Sequence, residues 1–236
     1  MGEVVPRRYW HTDRPDLVTD VQDALRTHQP HLHLVIPPDG RAEILGNFVV
    51  RGENGVEIDR YQISIRLLAR FPKDLPVVRE TGGRIPGTED RHINGSDGTA
   101  CVLYPEDRWQ CYPENGDFSV YLNGPLRDFF LSQSYYEREG EWPFGEWGHG
   151  VNGTFEFYAE LIGDSDPNTV VRHITALTYP KIKGKLSCPC GSGKFIRDCC
   201  IDKVNDLRRK IDPKLAKRSL NSIRKLLPAR IRTPNQ

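Results

Sequence analysis

The chain has 236 residues, 37% hydrophobic and 28% charged, which is enough apolar material for a core inside a strongly polar surface. Residues 1–14 lack the apolar run of a secretory signal and no segment approaches the roughly 20 apolar residues that cross a bilayer, so the sequence predicts neither a secreted nor a membrane protein. Its six cysteines then indicate a reducing compartment, the cytoplasm, where thiols serve metal binding or chemistry.

The net charge of +1 conceals an uneven distribution along the chain. Residues 181–236 hold 16 of the 33 Lys and Arg residues but only 4 of the 32 Asp and Glu residues, a net charge of +12 against −11 for residues 1–180. We therefore predict one domain over residues 1–180 and a basic module over residues 181–236. The basic tail suits phosphate contacts with nucleic acid, but a solvated face or docking on the acidic body is the favoured explanation.

The first half of the chain predicts a helix followed by a meander of strands. Apolar residues recur at helical spacing over residues 16–28, and Pro30 ends that helix. Alternating or continuous apolar runs, two of them joined by an Asn54-Gly55 turn, predict antiparallel strands over residues 31–36, 42–51 and 56–70. A helix, a meander and further helices in this order are typical of an α+β fold.

The second half predicts helices separated by loops. Helical spacing places one helix around Phe129 and Phe130 and others over residues 155–162, 169–177, 202–210 and 213–227. Residues 140–153 combine two tryptophans with several glycines, which predicts an ordered loop. Aromatic side chains in such a loop either cap the edge of a core or form a recognition surface.

Cys101 ends the segment of residues 92–101, HINGSDGTAC. A thiol after such a turn lies in irregular backbone, where a substrate can reach it. Sulfur is both a strong nucleophile and a good leaving group, so one cysteine can accept an acyl group and release it. A buried cysteine that acts as a small hydrophobe is the alternative. His92 and His149 are candidate general bases, and Cys111 is a second thiol for which an ordinary structural role suffices.

Taken in chain order, these features resemble the ubiquitin-conjugating enzymes. The segment Phe71-Pro72-Lys73-Asp74-Leu75-Pro76 corresponds to the family's Tyr-Pro-x-x-x-Pro, and His92-Ile93-Asn94 corresponds to its His-Pro-Asn. Cys101 and then Trp109 follow as in the family. Phe71 replaces the tyrosine, Ile93 replaces the proline, and the spacing from Asn94 to Cys101 is shorter than usual, which indicates a divergent bacterial member. The resemblance covers roughly the first two thirds of the chain.

The resemblance implies a ubiquitin-conjugating-like fold, with an N-terminal helix, a four-stranded antiparallel meander and C-terminal helices. It also implies that Cys101 forms a thioester, that Asn94 donates a hydrogen bond to the oxyanion, and that His92 is structural. No cofactor is needed for this chemistry. A catalytically silent adaptor of the same fold is the main alternative, and a cysteine hydrolase, which needs a histidine held against Cys101, is a weaker one.

The partner is also implied by the resemblance. Stand-alone proteins of this kind occur in bacterial anti-phage operons of the cyclic-oligonucleotide type, called CBASS, where they act on the C-terminus of a cGAS-like nucleotidyltransferase. No Gly-x-Gly-x-x-Gly motif follows a predicted strand, and the chain has no adenylating phosphate loop. Either another protein activates the acyl group, or the enzyme acts on a C-terminus that is already activated. The implied function is regulation of that synthase through a thioester at Cys101.

A cysteine cluster near the C-terminus predicts a metal site. Two close pairs of cysteines lie within thirteen positions, and a Gly-Ser-Gly turn lets them meet around one zinc ion: Cys188, Cys190, Cys199 and Cys200. The string is similar to the SEC-C motif, a short zinc-binding module. Four protein ligands leave no open position for water or substrate, so the predicted Zn2+ is structural. A phosphate loop is excluded, because Phe195 follows Lys194 where serine or threonine is required.

Overall fold

The computed structural model describes residues 9–38, 40–114, 116–143 and 150–226. The chain forms two compact units, Met1–Gly145 and Glu146–Gln236. Within the described ranges, no helix has both the length and the apolar character needed to cross a membrane.

The first unit is α+β with a four-stranded antiparallel sheet, as predicted. The strands pair as a meander in chain order: β1 (Leu32–Val35), β2 (Glu43–Arg51), β3 (Glu57–Arg66) and β4 (Val77–Glu80). Its helices are α1 (Trp10–Asp13), α2 (Pro15–His28), α3 (Arg108–Cys111), α4 (Phe118–Tyr121) and α5 (Arg127–Glu139). A π-helical turn spans Leu122–Leu126, and 3₁₀ turns span Glu89–Arg91 and Pro105–Asp107.

Helix α5 packs across β2 and β3. The ring of Phe130 on α5 lies 5.3 Å from that of Phe48 and 4.8 Å from that of Tyr61, measured between centroids. Tyr61 of β3 is fully buried, and its hydroxyl lies 2.9 Å from the Ser134 hydroxyl of α5. This hydrogen bond gives each buried hydroxyl a partner. This packing fixes α5 on the sheet, and α5 in turn supports the segment that leads to Cys101.

The second unit is helical. Its elements are α6 (Gly150–Ile162), α7 (Pro167–Thr178), a 3₁₀ turn (Ile196–Asp198), α8 (Ile201–Lys210) and α9 (Pro213–Leu226). Asp166 caps α7 by accepting a hydrogen bond from the Thr169 amide at 2.8 Å. Buried side chains from every one of these elements form one apolar cluster: Phe157, Tyr158, Val170, Ile174, Ile196, Val204 and Leu220 are among them.

The structure divides the chain earlier than the boundary predicted between residues 180 and 181. Helices α6 and α7 were assigned to the first domain, but they bury Phe157 and Ile174 in the same cluster as Leu220 of α9. The change of charge that suggested the boundary is a property of the surface, whereas the apolar face of a helix decides what it packs against. Residues 150–153, predicted as loop, form the first turn of α6.

Candidate active site and metal centre

A tight turn, Asn94–Thr99, leads into Cys101. The backbone amide of Asn94 donates to the Thr99 carbonyl at 2.9 Å, and the Asn94 carbonyl accepts from the Gly98 amide at 2.8 Å. Gly98 has φ +67°, the left-handed conformation that glycine adopts without strain. The turn therefore presents Cys101 in irregular backbone, where the sequence places it.

Strand β4 anchors this turn. The Ala100 amide donates to the Val78 carbonyl at 2.9 Å, and Arg79 Nε donates to the Asp97 carbonyl at 3.0 Å. The Cys101 amide donates to the His92 carbonyl at 2.8 Å. The segment is thus tied to β4 at two points and its ends are bonded to each other, so the sheet sets the position of the thiol.

Gln133 of α5 holds the start of the same segment. Its side chain is fully buried, and it exchanges hydrogen bonds with Arg91: Arg91 Nε donates to Gln133 Oε1 at 2.9 Å, and Gln133 Nε2 donates to the Arg91 carbonyl at 2.8 Å. Gln133 belongs to the helix predicted around Phe129 and Phe130, but its spacing alone indicates no role for it. A polar amide on the apolar stripe of a helix is the signal that identifies it, because such a group needs partners when buried.

The Cys101 side chain is exposed, so the alternative of a buried hydrophobic cysteine does not describe it. Its Sγ lies 3.8 Å from Asn94 Oδ1, to which the thiol donates. Neighbouring atoms still shield the sulfur from water, and this burial raises the pKa of Cys101, with a further increase from the carboxylate of Asp97. The thiol is therefore reachable but mainly protonated at neutral pH.

Asn94 is held by a chain of polar contacts. Its Nδ2 donates to Thr99 Oγ1 at 2.8 Å, and that hydroxyl donates its single proton to Asp97 Oδ1 at 2.7 Å. Because the threonine proton is used, the nitrogen of Asn94 faces Thr99 and its carbonyl oxygen faces the sulfur. To donate to an oxyanion at Cys101, as the resemblance implies, Asn94 has to reorient its amide when substrate binds.

His92 occupies a packing position. It has φ 52°, and its ring meets that of Trp142 edge to face with 4.8 Å between centroids. Trp142 also packs on Tyr136 of α5, at 4.6 Å between centroids. These contacts are consistent with the structural role implied for His92. The other candidate base, His149, lies outside the described residues.

Cys111 is a poor candidate for a reactive thiol. Its Sγ donates to Asp107 Oδ2 at 3.0 Å. Burial and this carboxylate raise the pKa of Cys111 to about 12, so the thiol stays protonated at neutral pH. Its contacts are those of a structural side chain, as the sequence favoured.

We expect Asp97→Asn to make Cys101 more reactive at neutral pH. The asparagine keeps an oxygen that accepts from Thr99 but removes the negative charge that raises the pKa of Cys101. The curve of alkylation rate against pH therefore moves to lower pH, and the rate near pH 7 increases a few-fold. Iodoacetamide labelling of Cys101, followed by mass spectrometry, measures this. Glu53→Gln removes an exposed charge on the β2–β3 turn and should leave the curve unchanged; equal curves for Asp97→Asn and the parent would contradict the prediction.

The second unit brings together the cysteines predicted to bind metal. The ligand atoms of Cys188, Cys190, Cys199 and Cys200 all lie within 4.8 Å of one another. Neighbouring sulfurs are 3.3 Å apart for Cys188 and Cys190, 3.6 Å for Cys190 and Cys199, and 3.7 Å for Cys199 and Cys200. Sulfurs bound tetrahedrally at ~2.3 Å from zinc are ~3.8 Å apart, so the cluster is compatible with a zinc ion.

The backbone around the cluster is held in place. The Cys188 amide donates to the Lys194 carbonyl at 2.9 Å, and Arg172 Nε of α7 donates to the Pro189 carbonyl at 2.8 Å. A hydrogen bond from Ser192 lowers the pKa of Cys190 to about 6, whereas burial raises the pKa of Cys188. A metal ion has to displace the proton from the latter thiol when it binds.

Comparisons with known proteins identify no family. No protein-family model matches the chain, and neither a curated protein nor a solved structure matches it. Any assignment of function therefore depends on the residues and geometry of the chain itself.

Proposed function

We propose that the protein is a cysteine-dependent acyl transferase similar to the ubiquitin-conjugating enzymes, with Cys101 as the nucleophile. The observation that carries the proposal is the exposed thiol at the end of a turn anchored on β4, with Asn94 beside it. The order of elements, α2 followed by the β1–β4 meander and then helices, supports it because the ubiquitin-conjugating fold has the same order.

The proposed reaction has two steps. Cys101 gives up its proton, and the sulfur attacks the carbonyl carbon of an activated C-terminus, such as a thioester on another protein; the leaving thiolate takes up a proton. An amine then attacks the carbonyl carbon of the Cys101 thioester, and the carbon–sulfur bond breaks as the amide forms. The nitrogen loses one proton and the released Cys101 thiolate takes one up, which restores the free thiol. Asn94, once reoriented, donates to the oxyanion of each tetrahedral intermediate.

The raised pKa of Cys101 fits such an enzyme at rest. A protonated thiol in the free protein resists oxidation and alkylation, and an incoming substrate that neutralises the charge of Asp97 lowers the pKa of Cys101 and so favours the thiolate. The structural Zn2+ that the four clustered cysteines would hold takes no part in these steps.

A second candidate function, a catalytically silent adaptor of the same fold, is favoured by two observations. The pKa of Cys101 is raised rather than lowered, and the Asn94 amide nitrogen is already bonded to Thr99. An adaptor needs neither a thiolate nor an oxyanion donor, so its function would survive the loss of Cys101.

The proposed partner is the C-terminus of a cGAS-like nucleotidyltransferase in a bacterial anti-phage CBASS operon, within a reducing cytoplasm. The family resemblance of the sequence motifs supports this part of the proposal. Regulation follows if the thioester at Cys101 leads to modification of the synthase and changes its output of cyclic oligonucleotides.

Intact-mass analysis of the protein co-expressed with its neighbouring genes tests the proposal. We expect a mass adduct equal to a partner protein minus one water, located at Cys101 by peptide mapping. Neutral hydroxylamine and excess dithiothreitol should both remove it, because both cleave thioesters. A chain that carries no adduct under any of these conditions, yet still forms its complex with the synthase, would instead identify the adaptor.

A further inference from the structure

The second unit exposes an aromatic ring within a run of cations. From residue 181 to residue 197 the chain holds five Lys or Arg side chains and no Asp or Glu. Phe195 lies in this run with 47% of its surface exposed, although it is large and apolar. Residues 181–187 and 194–197 are termed the cationic ribbon.

The two segments of the cationic ribbon are paired. Ser187 and Phe195 form an antiparallel bridge, and the Ile196 amide donates to the Leu186 carbonyl at 2.8 Å. Ile196 is buried in the apolar cluster of the second unit, with Ile182 and Leu186 packed against the same cluster. The remaining side chains of these two segments are exposed: Lys181, Lys183, Lys185, Ser187, Lys194, Phe195 and Arg197.

Two of these exposed side chains, Arg197 and Phe195, form a cation–π pair. The guanidinium carbon of Arg197 lies 5.4 Å from the centroid of the Phe195 ring. Arg197 Nε donates to Asp198 Oδ2 at 3.3 Å, and both side chains are at least half exposed. Such an exposed ion pair contributes little stability, so another anion can readily replace the Asp198 carboxylate. The cationic ribbon thus presents an exposed aromatic ring beside a guanidinium that can bind another anion.

The charge remains positive after the metal centre is counted. Zinc with four thiolates carries a net charge of about −2, and Asp198 adds one negative charge, against the five cations of the ribbon. Tyr179, 40% exposed, lies at the start of the lysine run, where Arg208 of α8 donates to the Pro180 carbonyl at 3.0 Å. A second exposed ring therefore precedes the lysines.

We propose that the cationic ribbon binds single-stranded nucleic acid. Proteins that bind single strands combine a positively charged surface for the phosphates with aromatic rings on which bases stack. Here Phe195 provides the ring, and Lys183, Lys185 and Arg197 provide the cations. An acidic peptide would also meet the cations, but its carboxylates do not stack on an exposed phenyl ring as bases do. The inference goes beyond the proposed acyl transfer and concerns the second unit alone, so Cys101→Ala should not alter the binding.

Fluorescence anisotropy with a labelled oligothymidylate of roughly 12 nucleotides, at about 50 mM salt, tests the proposal on the zinc-loaded full chain. We expect Phe195→Ala to weaken binding about tenfold or more, on the scale of one base–aromatic stack, and Phe195→Trp to preserve it. The pair Lys183→Gln and Lys185→Gln should weaken binding and lower the slope of log affinity against log salt by about 1.4, because each single-strand phosphate contact contributes about 0.7.

Matched substitutions on α9 serve as the control. Lys214→Gln with Lys217→Gln removes the same charge from exposed positions outside the ribbon, and we expect affinity within about twofold of the parent. Parent affinity in Phe195→Ala, or an equal loss in the α9 pair, would overturn the proposal. So would an absence of binding at low salt, or displacement of the oligonucleotide by polyglutamate as effectively as by unlabelled oligothymidylate, which would identify an acidic protein partner.

Discussion

Removing the metal or replacing Cys190 with serine is expected to destabilise the second unit by several kcal/mol, since structural zinc contributes about 10–16 kcal/mol of binding free energy in small zinc domains. Without an ion, four sulfurs at separations of 3.3 to 3.7 Å lose what holds them together. The segment between the cysteine pairs then detaches, and it takes with it Ile196, which is 1% exposed in the apolar cluster, and the start of α8.

The effect is smaller than complete unfolding because α6, α7 and α9 keep an apolar interface of their own. Hydrogen exchange with mass spectrometry should show the greatest loss of protection over residues 182–204, together with a lower thermal midpoint and loss of one bound zinc per chain. Cys111→Ser, in the first unit, is the control and should keep both zinc and exchange pattern. Parent stability in metal-free protein would contradict the structural role of the site.

Local patterns predicted the elements well because their physical causes are local. The alternation of β3 and the spacing of α5, α7 and α8 follow from apolar residues that have to share one face. The four cysteines were also predictable, since two pairs separated by a Gly-Ser-Gly turn can meet at one ion without help from the rest of the chain.

The parts that could not be predicted depend on contacts between distant residues. Gln133 and Arg91 exchange hydrogen bonds although they lie 42 positions apart in the sequence. Nothing in the local sequence around either residue indicates its partner. The unit to which α6 and α7 belong is likewise decided by the face of α9 they meet, whereas the sequence offered only a change of charge. The orientation of the Asn94 amide depends on which acceptor the Thr99 hydroxyl donates to, and no sequence motif specifies that acceptor.

Replacing Cys101 with alanine is expected to abolish the partner adduct and to lower acyl transfer by at least about 10⁴-fold, the scale of losing a covalent nucleophile. Cys101→Ser separates this chemistry from binding. A serine oxygen attacks far more slowly than sulfur and its ester is a poorer acyl donor, so any adduct that forms should accumulate as an oxyester. Dithiothreitol should remove the adduct of the parent and leave that of the serine variant, as measured by intact mass.

Both substitutions act at an exposed side chain, so each should change the free energy of unfolding by no more than about 0.5 kcal/mol. Cys111→Ser, which removes the other thiol of the first unit, should retain the parent adduct and transfer rate. An adduct that persists in Cys101→Ala would place the acceptor elsewhere, and unchanged regulation of the synthase in Cys101→Ala would favour the adaptor. The comparison of alanine with serine is decisive because both remove the sulfur, while serine alone keeps an atom able to form the bond.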